Sequence, residues 1–195
     1  MIKDNNEITV KIKGDLDEFF DLLKSRDYKI TDDFDMTDTY FIPNDLEIDK
    51  LSTREIISKC VLVRHVRGHL SGNEYKNITF KEKDIDKDGN ILSQKQIKCD
   101  VRDVEDAKKI LSVIGFKELM SIHEDDVVYE KDGVPLAIKN IKGGDNLIEI
   151  ETQDRDGFRT IEELKNTINK IDIPIYTDDY FVKKAEVELD KILNR

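Results

Sequence analysis

The sequence predicts a single α+β domain over residues 1–195, with about eight strands. Short segments that alternate apolar and polar residues recur along the whole chain, separated by turns containing Gly and Asp, and between them lie stretches with apolar residues at helical spacing behind a side-chain cap. A further pattern bears on the inside of the fold. Glu7-Ile8-Thr9-Val10-Lys11 and Ile148-Glu149-Ile150-Glu151 each put charged or hydroxyl side chains on one face and Ile or Val on the other. Such strands suit a sheet with its charges in bulk water, or a closed barrel with a polar, ion-binding interior.

Residues 6–13 alternate as a strand, and Asp15 is placed to cap a helix carrying Leu16, Phe19, Phe20, Leu22 and Leu23 to about Arg26. Asp38 to Ile42 forms the next expected strand, stopped by Pro43. Ser52-Thr53-Arg54-Glu55 has capping-box spacing for a short helix to about Lys59. Val61 to Arg67 returns to strand. Asn77 to Asp84 and Ile91 to Val101 flank Asp86-Lys87-Asp88-Gly89-Asn90, whose Asp-Gly supplies the positive φ of a hairpin turn. Asp103 caps a helix with Val104, Ala107, Ile110, Leu111 and Ile114 as its apolar stripe, and Gly115 is its stop. Ser121 to Glu130, Val134 to Lys142 and Leu147 to Thr152 read as a three-strand meander. Thr160-Ile161-Glu162-Glu163 opens a helix to about Ile171, and Tyr180 to Leu193 reads as the last helix.

Composition narrows the function. The chain is 38% apolar and 38% charged with a formal charge of -11, which argues against a nucleic-acid partner, since such partners need a net basic face. A local cluster of lysines can still be strongly positive, because charges more than about 8 Å apart are largely screened at physiological salt. No apolar run is long enough to span a membrane and Met1 to Asn6 lack a secretory core, so the expectation is a cytoplasmic protein with no membrane partner. Cys60 and Cys99 are then expected as unpaired, ordinary buried residues. His65, His69 and His123 show no spacing to a nucleophile or a metal partner.

In order and spacing these segments resemble the CYTH superfamily, the triphosphate tunnel metalloenzymes that include class IV adenylate cyclases and thiamine-triphosphatase-like hydrolases. The resemblance rests on Glu7-x-Thr9-x-Lys11, Asp38-Thr39-Tyr40-Phe41 with Pro43, Val61-Leu62-Val63-Arg64, Thr79-Phe80-Lys81, Ile114-Gly115-Phe116, Val128-Tyr129, Leu147 to Glu151, and Asp179-Tyr180. It implies an eight-stranded antiparallel barrel whose lumen grips a triphosphate with Lys11, Arg64, Lys81 and Lys83, while Glu7, Glu149 and Glu151 hold Mg²⁺ or Mn²⁺. The implied ligand is a nucleoside triphosphate, thiamine triphosphate or inorganic triphosphate, acted on by hydrolysis or by adenylate-cyclase-type cyclisation. No residue is assigned as catalytic base. A homodimer is compatible with the resemblance.

The chain departs from the family pattern at several points. Thr9 stands where the first motif usually has a second glutamate, Leu62 where a second arginine is usual, and Gln96 and Lys98 where glutamates are common. Glu124 and Asp126 occupy usually basic positions and Lys139 a usually acidic one, so an Asp126 to Lys139 pair of reversed polarity is expected across the hairpin. These changes support an alternative reading of the same fold, a module that binds a nucleotide or polyphosphate without turning it over.

Overall fold

The computed structural model describes residues 7–85, 91–151 and 160–194, and among these the side chains of 82–85, 91–96 and 151 are not described. Eight antiparallel strands form one sheet: β1 (Glu7–Lys11), β2 (Lys29–Pro43), β3 (Val61–Gly68), β4 (Glu74–Ile85), β5 (Ile91–Asp100), β6 (Phe116–Lys131), β7 (Val134–Ile141) and β8 (Asn146–Glu151). Their order across the sheet is β1-β8-β7-β6-β2-β3-β4-β5. The helices are α1 (Leu16–Ser25), α2 (Thr53–Ser58), α3 (Val104–Val113), α4 (Ile161–Lys170) and α5 (Lys184–Leu193).

Local chemistry explains most of these elements. The Asp15 carboxylate accepts from the amides of Asp17 and Glu18 to start α1, and Asp103 does the same for α3. Ser52 and Thr160 form complete capping boxes with Glu55 and Glu163. Asp132 and Gly133 both take positive φ between β6 and β7, as a tight hairpin turn requires. That turn sets the register in which Asp126 faces Lys139, as the sequence predicts. The predicted turn at residues 86–90 lies outside the described residues.

Two elements differ from expectation. Strand β2 begins at Lys29, well before Asp38, because its charge-rich first half is exposed or half-buried at the sheet rim and carries no apolar alternation. The last helix begins at Lys184. Residues before it are instead drawn along the free edge of β1, where Thr9 N–H donates to Tyr180 O at 3.0 Å, Val182 N–H to Thr9 O at 3.1 Å and Tyr176 N–H to Lys11 O at 2.8 Å. Backbone pairing outweighs helical spacing there. Cys60 is buried, its thiol pushed up to about 12 by burial, but Cys99 is exposed on the outer strand β5, against the expectation of two buried cysteines; both are free.

The outer face of β1, β8, β7 and β6 packs Ile8, Val10, Ile148, Ile138 and Tyr129 against Phe19 and Leu23 of α1 and Leu164 and Ile168 of α4. A smaller cluster sets Ala107 and Leu111 of α3 on Phe41 and Val63. The inner face is half apolar. Tyr40, Leu62, Met120, Ile122, Ile141 and Leu147 close over Leu189 of α5 and Ile56 of α2. Ile148 is completely buried in the first of these clusters. Ile148→Ala is expected to lower stability by about 2–5 kcal/mol in urea unfolding, from lost burial plus the cavity left behind.

Hydrogen bonds do not close the sheet into a barrel. Among the described residues β1 and β5 are not paired with each other, and the edge amides that closure would need on β1 are already used by residues 176–182. The sheet is nonetheless strongly curled. Lys81 on β4 lies within electrostatic reach of Glu7 on β1 and Glu149 on β8, whereas six strand spacings in a flat sheet would separate β4 from β1 by roughly 29 Å.

Candidate functional site

Register fixes which side chains share the inner face. Thr9 lies opposite Glu149, Lys139 opposite Leu147 and Asp126, Glu124 opposite Met36 and Ile141, and Asp38 opposite Ile122 and Arg64. Arg64 lies opposite Asn77 and Leu62 opposite Thr79, so Lys81 continues the same face of β4. Thr9, Asp38, Asn77, Thr79, Glu124 and Asp126 are all buried on this face. These polar side chains form one cluster, here called the chamber, beside the apolar plug made with α5.

Charges in the chamber are extensively paired. Arg64 grips Asp38 in a fork, Nε to Oδ1 and Nη2 to Oδ2, each at 2.7 Å. Lys184, in the first turn of α5, donates to Asp38 at 3.0 Å and also pairs with Glu124. Lys139 lies 3.2 Å from Asp126 and 3.7 Å from Glu149, whose other oxygen accepts from Thr9 at 3.4 Å. Lys183 approaches Glu7 at 3.5 Å. Burial alone would raise the Asp38 carboxyl, but Lys184 and Arg64 outweigh it and hold the group well below the usual carboxylate range. The reverse balance holds at Asp126, where burial and Glu124 prevail over Lys139 and push the carboxyl up to about 7.

Lys81 is different. Burial lowers its ammonium and neighbouring Arg64 lowers it further, against the opposing pull of Glu7, Asp38 and Glu149. Among the described residues no carboxylate comes within ion-pair distance of it. A desolvated cation held beside a guanidinium is an arrangement that an incoming anion relieves.

Of the residues singled out in the sequence, Arg64, Lys81, Glu7 and Glu149 are brought together around this chamber. Lys11 shares their face by register but sits at the rim, 44% exposed, bound to Asp145 at 2.7 Å. In backbone register Lys83 pairs with Gln94 and Glu151 with Glu7, and both side chains lie outside the described residues. Among the described residues no group of three or more acidic, His or Cys side chains converges at metal-binding distance. The donors near Lys81 are carboxylates and a hydroxyl, a hard oxygen set that fits Mg²⁺ or Mn²⁺ better than a soft metal.

Sequence reasoning missed Asp38 as the anchor of Arg64, and Lys183 and Lys184 as interior cations. The alternation of Asp38 with Tyr40 carries a signal for the first. Nothing local marks the two lysines, because they reach the chamber only through the path of residues 176–182 along β1. His123 faces outward and bonds Thr37 on the outer side of the sheet. A cleft of about 530 Å³ on that outer side, lined in part by Asp35, Arg67, His69, His123 and Asp125, contains none of the chamber residues.

No family model matches the chain. It is 24% identical over 187 residues to the "Putative adenylate cyclase MJ0240" of Methanocaldococcus jannaschii, spanning 94% of this chain and 97% of that protein. Its fold is similar to that of a "putative adenylate cyclase" from Vibrio parahaemolyticus, with a TM-score of 0.60 at 9% identity over the whole of both chains. It is also similar to a "Putative adenylyl cyclase" from Hippeastrum, described as having a dominant triphosphatase activity, with a TM-score of 0.55 at 12% identity over 93% of this chain and 92% of the other. The likeness to these two structures covers 100% and 93% of this chain, the part that positions the chamber.

Proposed function

Similarity to these cyclase-type proteins points to the CYTH, class IV adenylate cyclase-like family, and from that premise we propose that the chamber binds a triphosphate-containing small molecule. The curled sheet then acts as a barrel wall, with residues 176–182 occupying the edge that hydrogen bonds between strands leave open. The observation that carries this reading is Lys81, a half-buried cation beside Arg64 with no carboxylate partner among the described residues. Each charge-assisted hydrogen bond from such a cation to a phosphate oxygen is worth about 1.5–3 kcal/mol. Lys11 at the rim meets the anion as it enters, and Lys83, two residues after Lys81 in the sequence, is assigned to the same phosphate-binding role.

Glu7, Glu149 and Glu151 would hold Mg²⁺ or Mn²⁺ in this reading. A bound divalent ion would neutralise charge that builds on the phosphoryl oxygens. The chain's own groups bind and orient: Lys81 and Arg64 hold phosphate oxygens, Asp38 fixes the plane of the guanidinium, and the apolar plug on α5 excludes water from one side. Hydrolysis at the terminal phosphorus and attack by a ribose hydroxyl on the α-phosphorus use the same grip.

Binding without turnover is the second reading, favoured by the internal pairing of the chamber. Arg64 is already forked onto Asp38, and Lys139 already serves Asp126 and Glu149. Calorimetry with inorganic triphosphate and ATP, run beside release of phosphate or pyrophosphate with Mg²⁺ and Mn²⁺, separates the two. Binding with release supports the enzyme, binding alone supports the module, and affinity for neither compound removes both.

Thr9→Glu offers a test of the metal side. Thr9 is 5% exposed and donates to Glu149, so a carboxylate there meets Glu149 directly and repels it until a cation arrives. The expected result is a protein less stable without metal whose melting temperature rises more steeply with Mn²⁺ than that of the unaltered chain. An unchanged response to Mn²⁺ would contradict the metal role of Glu149.

A further inference from the structure

Glu124 and Asp126 are two residues apart on β6 and face the same chamber. Their exposures are 2% and 0%. In each carboxylate a lysine holds one oxygen: Lys184 bonds Glu124 Oε1 and Lys139 bonds Asp126 Oδ2. The other oxygens, Glu124 Oε2 and Asp126 Oδ1, are buried and have no hydrogen-bond partner among the described residues. Leaving a buried acceptor unpaired is costly, and more so when it is charged, so two on one strand face call for an occupant.

Each lysine is shared: Lys184 also bonds Asp38 and Lys139 also pairs with Glu149, so neither β6 carboxylate has a cation to itself.

The geometry points to a divalent-cation site at Glu124 Oε2 and Asp126 Oδ1, of the Mg²⁺ or Mn²⁺ class, separate from the carboxylates Glu7 and Glu149. Oxygen-only donors select a hard cation, and Mg²⁺ is commonly held by one or two carboxylates with water or phosphate oxygens completing the octahedron. Lys184 and Lys139 are positioning residues here. They hold one oxygen of each carboxylate and so fix the direction of the other, as partners beyond the ligands do in other metal sites. Asp38 keeps Lys184 in place from the opposite side. The site does not require a triphosphate, but a cation bound in it would add positive charge to the chamber and favour an anion beside it.

Mn²⁺ alone is the probe, titrated into the unaltered protein, Glu124→Gln, Asp126→Asn and Glu149→Gln, followed by calorimetry and by the paramagnetic resonance of free Mn²⁺. The unaltered protein is expected to bind an ion that both Glu124→Gln and Asp126→Asn lose or hold at least about tenfold more weakly, while Glu149→Gln keeps it. Equal affinity and stoichiometry in the unaltered protein and both β6 variants would overturn the site. So would an equal loss in Glu149→Gln, which would mean a single shared ion. Failure of triphosphate to bind would leave this result standing and bear only on the proposed function. Should the variants fail to fold, the unaltered protein still decides: Met36 lies opposite Glu124, so its methyl resonance should broaden at lower Mn²⁺ than that of Met120, four residues before Glu124 on β6. A Met36 signal untouched at saturating Mn²⁺ would overturn the proposal.

Discussion

Asp38→Asn is expected to lower stability by about 3–5 kcal/mol, because it takes a fully buried carboxylate away from two half-buried cations at once. Asp38 is fully buried, takes both arms of Arg64 and also receives Lys184. With asparagine in its place Arg64 is left without its counter-charge, and Lys184 retains only Glu124. The loss should appear as a drop in melting temperature of roughly 10 °C for a chain of this size. A sign follows for pH. The folded-state carboxyl of Asp38 is held below its unfolded value of about 3.9, so its contribution is complete above that value and fades as pH falls below it. Acid unfolding below about pH 4 should therefore be shallower in Asp38→Asn than in the unaltered protein. Urea midpoints measured from pH 2 to pH 7 check both statements, and a variant as stable as its parent at neutral pH would remove Asp38 as the anchor.

Lys81→Ala should act in the opposite sense. Since burial and Arg64 already disfavour the ammonium, removing it is expected to leave folding stability unchanged or slightly higher. Affinity for inorganic triphosphate should nevertheless fall by about 10- to 150-fold, the equivalent of one charge-assisted contact. A large loss of binding with no loss of stability separates a ligand-binding lysine from a structural one. The depressed ammonium adds a pH signature: triphosphate affinity in the unaltered protein should weaken on the alkaline side at a lower pH than an ordinary lysine would give, and this step should vanish in Lys81→Ala. Equal affinity in parent and variant would take Lys81 out of the site.

Much of the fold was legible because its signals are local. The caps at Asp15, Ser52, Asp103 and Thr160, the Asp132-Gly133 turn and the alternation of Glu7 to Lys11 each depend on neighbours a few residues away. The inward direction of Arg64 and Lys81 follows from the same alternation once the strands are paired. The pairing of Asp126 with Lys139 was readable because the turn fixes the hairpin register.

What was not legible depends on long-range geometry. A chain that alternates correctly gives no sign that Tyr180 and Val182 will bond to Thr9 and take the free edge of β1. Helical spacing extended the last helix back to Tyr180, and only that edge pairing shows why it starts at Lys184. The same path carries Lys183 and Lys184 into the chamber, where they pair with Glu7, Asp38 and Glu124. The curl that brings Lys81 toward Glu7 is likewise a property of the whole sheet.

A crystal of the unaltered protein soaked with inorganic triphosphate and Mn²⁺ tests the central claim most directly. The predicted result is phosphate density on the inner face, within hydrogen-bond distance of Lys81 and Arg64. Triphosphate settled on the outer face, or an inner chamber that stays without phosphate while the compound binds elsewhere, would contradict it.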